Sequence, residues 1–171
     1  MTLLDRLLRR VPVPDGAVGE LAAQEDVLAV GQLRAGHLVA TRVGLWAPGQ
    51  HGPERAPWHL ISKASWTGER LALVVADVVG QAGRAVLLSD VKRRSYVLAE
   101  PGRLPQVVQE RVTDSIRSAH HRSLPGGGAW FVQRRVAGVD GVVLQVRADR
   151  GTDAEVVAEI AAAVADKLPR R

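Results

Sequence analysis

Between residues 37 and 46 the side chains alternate. Val39, Thr41, Val43 and Leu45 fall on one side, and Leu38, Ala40, Arg42 and Trp46 on the other. A period of two, in residues suited to a pleated surface, predicts a strand. Pro48, Gly49, Gly52 and Pro53 then break the pattern with turn formers. Pro57 has no N–H to give a ladder, which suits a strand start or an edge. Alternation resumes with Trp58, Leu60, Ala64 and Trp66 in one register and His59, Ile61 and Lys63 in the other. Three of the four tryptophans thus sit on two predicted strands, and each indole can bury roughly 150–250 Å². They are expected to staple a sheet; a stacking platform for a ligand or a base is the functional alternative.

Around this stretch the periodicity predicts the rest of the fold. Leu3, Leu4, Leu7, Leu8 and Val11 share one face of a short amphipathic helix over residues 2–11, expected to dock on the domain. Residues 12–24 read as a linker. Val27–Leu33 forms a hairpin with the 37–46 strand through Arg34-Ala35-Gly36. Thr67-Gly68-Glu69 turns the chain into 71–79, Gly80–Gly83 turns it again, and RAVLLSDVKRRSYVLAE adds strand-like pieces. The pattern then becomes helical: Leu104, Val108, Val112, Ile116 and Ala119 line one face from a start at Pro105, and Asp114, Arg117 and His121 line the other. Leu124–Gly128 ends that helix. A second hairpin pairs 130–136 with 142–148 across Gly138-Val139-Asp140-Gly141. Thr152 with Glu155 forms a capping box for a last helix, with Val157, Ile160, Ala161, Val164 and Leu168 along its apolar stripe. Strands and helices are segregated, which predicts α+β with an antiparallel sheet, an inserted helix and a C-terminal capping helix. Residues 1–24 are expected as helix and linker, and 25–171 as a single domain.

Composition narrows the function classes more than it names one. A 171-residue chain, 46% hydrophobic, can bury about 70% of its unfolded surface. Cysteine is absent, which removes disulfides, thiolate chemistry and Cys-based metal sites. No apolar run approaches the ~20 residues of a membrane span, and the N-terminus lacks a secretory pattern, so the expectation is a cytoplasmic protein. Twenty of the 23 cations are Arg, yet the net charge is only +5. Residues 61–135 hold 12 basic and 6 acidic groups, so the surplus lies mid-chain.

The blocks HLVATRVGLW and RAPWHLISKASW resemble the second and third strands of bacterial pleckstrin-homology-like domains. LPQVVQERVTDSI, RRVAGVDG and RADRGTD resemble blocks of small uncharacterised actinobacterial proteins. The resemblance implies a pleckstrin-homology-like meander or roll and carries no catalytic motif.

No phosphate loop, dinucleotide fingerprint, nucleophile elbow or zincin motif is present. Gly126–Gly128 read as a flexible connection after a helix. His120 and His121, placed on that helix, would point about 100° apart and so would not chelate one metal. No catalytic residue, metal ligand or cofactor is therefore expected. The candidate site is cationic: Lys92, Arg93 and Arg94 on one predicted strand, and Arg134 and Arg135 on another, forming an anion- or partner-binding patch if the strands are neighbours. The expected function is a non-enzymatic binding or scaffold domain with a protein partner. The alternative is a nucleic-acid-binding protein that uses the same basic residues.

Overall fold

A computed structural model of the chain describes residues 11–169, apart from the side chains of residues 90 and 91. The helix expected over 2–11 falls, but for its last residue, outside them. The chain is α+β, with a large, mostly antiparallel open sheet and two helices among the described residues. None of the helices described is long and apolar enough to cross a membrane. The described residues gather into two compact units: 11–57, 65–72 and 95–110 in the first, and 58–64, 73–94 and 111–169 in the second.

In the first unit β1 (Val27–Leu33), β2 (His37–Thr41), β3 (Gly44–Gly49) and β4 (Gly52–Pro57) form an antiparallel meander. Gln32 and Leu33 of β1 pair with Glu100 and Leu98 at the end of β7 (Ala85–Glu100). The strand expected over 37–46 is in fact two. The Thr41 hydroxyl donates to Glu25 Oε1 at 2.7 Å and accepts from the N–H groups of Val43 and Gly44, both at 3.2 Å. These bonds turn the chain without a proline or a turn dipeptide. The loop expected after Trp46 is largely β4, an edge strand that tolerates Pro53 and Pro57.

Leu38, Val39 and Ala40, and likewise Leu45, Trp46 and Ala47, are buried at consecutive positions, so both faces of these strands are covered. Val39 and Trp46 meet Ala17 and Val18, and a Cβ at Gly19 would come within 3.1 Å of the Trp46 ring. Within residues 12–24, the Ala17–Gly19 segment therefore packs against the sheet. On the opposite face of β1, a Cβ at Gly31 would lie 2.9 Å from the Leu104 side chain. The missing side chain lets helix α1 (Leu104–Ser115) begin close against the strand.

Glu25 pins this arrangement. It is buried and accepts from the Ala22 N–H (2.8 Å), the Trp46 indole (3.0 Å) and the Arg55 guanidinium as well as from Thr41. Burial pushes its carboxyl up, but the Ala22, Thr41 and Trp46 hydrogen bonds and the Arg55 charge outweigh it and hold the group below its ordinary value.

β5 (Ile61–Trp66) pairs with β6 (Arg70–Ala82), and β6 with β7; residues 61–64 and 73–94 of these strands belong to the second unit. The order on the other side of β7 is β10 (Val143–Ala148), β9 (Gly127–Arg134), then β8 (Ile116–Leu124), with β10 parallel to β7. Helix α2 (Ala154–Asp166) covers one face of this sheet. Val157, Ala161 and Ala165 are buried against Ala129, Phe131, Leu144 and Val146, with Ile160, Val164 and Leu168 packed around them, as the apolar stripe predicts. Its N-cap is Asp153, which accepts from the N–H groups of Glu155 and Val156; Thr152, expected in that role, bonds Gly128 instead.

The helix expected to run past Ala119 stops at Ser115, and residues 116–124 form β8. An edge strand exposed on both faces carries no hydrophobic period, so IRSAHHRSL gives no strand signal. The Leu124–Gly128 segment is accordingly a hairpin turn between β8 and β9.

Candidate functional site

The five cations singled out in the sequence do not converge. Arg134 is fully buried, on the sheet face away from α2. It donates to Ser115 Oγ, to the carbonyl of Ile61 at 2.8 Å and weakly to that of Trp58 at 3.4 Å. Expecting it in a surface patch was wrong, because its planar fork of donors is turned inward to satisfy backbone. Arg135 is exposed beside it. Gln145 opposite Val86 and Val143 opposite Arg134 set the level of β9 on β7. Continued down the parallel pair, that register puts Arg134 level with Arg84. Lys92 is eight residues further along β7, about 26 Å away at 3.3 Å per residue. Lys92 pairs with Asp77 at 3.1 Å, Arg93 is exposed and Arg94 half-buried.

The tryptophans also divide. Trp46 and Trp58 are buried, Trp58 in a single turn over Trp58–Leu60 where a strand was expected. Trp66 is half-buried on β5. The indole open to solvent is Trp130, 45% exposed in the middle of β9. It belongs to a row running across the sheet, His121 on β8 opposite Trp130 on β9 opposite Arg147 on β10. Cross-strand partners share a face.

The row is fixed by a vacancy in β9. His121 lies over Gly128, where a Cβ would sit 2.7 Å from its Cε1 and 2.8 Å from its Nε2. The gap lets the imidazole reach past β9, and its Nε2 meets Asp149 Oδ2 at 2.7 Å. Asp149 is anchored in turn, its N–H donating to the Gly128 carbonyl at 2.8 Å. The Thr152 hydroxyl accepts from the Gly128 N–H at 3.0 Å. The His121 and Trp130 rings then meet edge to face, centroids 5.3 Å apart at 62°. An exposed indole thereby stands beside an oriented imidazole.

β8, the outer strand of this sheet among the described residues, adds the positive charges of Arg117 and Arg122 and carries no acidic residue; these two side chains and those of His120 and His121 are exposed. The Arg122 guanidinium lies 5.8 Å from the Phe131 ring centroid on the α2 side of the sheet.

The sequence reading missed His121, Trp130, Asp149 and Gly128 as a group. A signal was present: centring a tight turn on Pro125-Gly126 pairs Leu124 with Gly127 and therefore His121 with Trp130. Among the described residues no group of three or more His, Asp or Glu could hold a metal ion. Comparison with protein-family models, with curated proteins and with solved structures returns no match.

Proposed function

We propose that the chain is a non-enzymatic binding domain that recognises an acidic protein through the Trp130 face and the β8 edge. One observation carries the reading: an exposed indole stands next to an edge strand whose charged side chains are all basic. Aromatic anchors beside arginine are the side chains on which interfaces concentrate their energy. Asp149 holds the imidazole of His121, and no hydroxyl is hydrogen-bonded to that ring among the described residues, which favours binding over acid–base chemistry. A nucleic acid is the weaker reading, because the cations follow one strand edge and do not line a groove for a phosphate backbone. The pleckstrin-homology-like grouping rests on the sequence blocks alone.

The test is fluorescence titration with three probes: a short peptide alternating glutamate and leucine, its lysine–leucine counterpart, and oligothymidylate. The glutamate peptide should bind in preference, more weakly as salt rises. Trp130→Ser should abolish its binding while the protein still unfolds cooperatively, at a melting temperature lowered only by the half-buried indole it loses. Equal binding of the two peptides, or of none of the probes, overturns the proposal. Preferential binding of oligothymidylate replaces it with the nucleic-acid reading.

A further inference from the structure

The backbone of β8 says how such a partner would be held. Both main-chain groups of Gly128 point away from β8, its N–H to the Thr152 hydroxyl and its carbonyl to the Asp149 N–H. Ser123, which faces Gly128, is therefore in a non-hydrogen-bonded pair, and its own N–H and C=O point outward. Alternation carries the same outward aim to His121 and Ala119. The two-residue turn agrees, since its closing pair Leu124–Gly127 is of the bonded kind. The outer edge thus presents three residues' donors and acceptors at the strand repeat. No proline interrupts the strand, and its register irregularity lies at Ile116–Ser118, before the three outward-facing residues.

We infer that β8 is a template for strand addition, and that the occupant is an extended acidic segment of a partner protein with acidic and apolar residues in alternation. This rests on the binding reading above and specifies its mode. Side chains of an added strand would alternate between the two faces that β8 separates. On one face stand His120 and Arg122, which match carboxylates; on the other stand His121 and, one strand further in, Trp130, which match apolar groups. Main-chain bonds would give the affinity and this alternation the specificity.

The experiment uses the glutamate–leucine peptide in two N-methylated forms. The forms have identical side chains and equal numbers of methyl groups, placed on one set of alternate residues or on the other. Strand addition needs the N–H groups of one set only. One form should therefore bind like the parent peptide, and the other at least about tenfold more weakly. Hydrogen exchange at Ala119, His121 and Ser123 should slow on binding. Equal effects of the two methylation sets, whether both harmless or both disruptive, overturn strand addition while the binding reading stands. Failure of the unmethylated peptide to bind removes both.

Discussion

Replacing Arg134 by methionine separates a buried structural cation from a surface one. Methionine keeps much of the apolar stem and removes the guanidinium. The Ile61 carbonyl then loses its 2.8 Å donor, Ser115 Oγ keeps only its bond to the Val112 carbonyl, and the Trp58 carbonyl loses a weak donor. Two well-made bonds lost from buried acceptors cost about 1–3 kcal/mol each. Against that, a desolvated charge is gone, which offsets part of the loss. The expected net destabilisation is about 2–4 kcal/mol. For a chain of this length each kcal/mol moves the melting temperature by roughly 2–4 °C, so a drop of about 5–15 °C should appear in a thermal melt. The control is next door: Arg135→Ser removes an exposed side chain whose contact with the Asp114 carbonyl is long, 3.4 Å, and should stay within about 0.5 kcal/mol of the parent. An Arg134→Met protein that melts with the parent, or an Arg135→Ser protein that falls as far, would refute the assignment.

His59 is held below its ordinary 6.5, first by burial and then by the Arg134 charge. The unfolded chain therefore takes up the proton first, so stability should fall as the pH drops from about 7 until the folded value is passed. Melts across that window check it, and His59→Gln should flatten most of the slope. The Glu25 contribution goes separately, as the pH falls through about 4.5 and below, because its folded carboxyl is held under that value. Truncation after Gly151 removes α2 and bares Phe131, Leu144 and Val146. Each large side chain exposed forfeits about 1.5–3 kcal/mol, and light scattering should show aggregation.

Where one period governed a segment, the sequence was enough to place it. α2 shows its stripe because one face is buried and the other wet. The consecutive apolar residues of β2 and β3 were legible as strand, but their division at Thr41 depends on a hydroxyl meeting Glu25, 16 residues away. β8 was lost for a different reason. Most of its side chains are exposed and form no apolar stripe, so the helical period of α1 was carried on past Ser115. With β8 read as helix, His121 could not be placed opposite Trp130, and the glycine that lets the two meet Asp149 looked like slack. The candidate site was hidden by one wrong element boundary and not by an absence of chemistry in the sequence.

The arginine surplus is a poor guide to partners because several arginines bond groups of their own unit. Arg134 donates to the Ile61 carbonyl in the second unit. Arg84 donates to the carbonyls of Ala165 and, at 3.1 Å, Leu168, adding a side-chain donor where the chain leaves α2. In the first unit Arg55 joins Glu25 and lies 5.3 Å over the Trp46 ring. Each place uses a planar array of donors that an ammonium group lacks. A pI near 10.6 is in part the trace of this internal role. The cations that bear on recognition are those whose donors face solvent together. Arg117 and Arg122 meet that condition on β8, with His120 between them, and no carboxylate on that strand answers them. Purity of sign on an open edge, more than net charge, is what marks β8 as the surface to test.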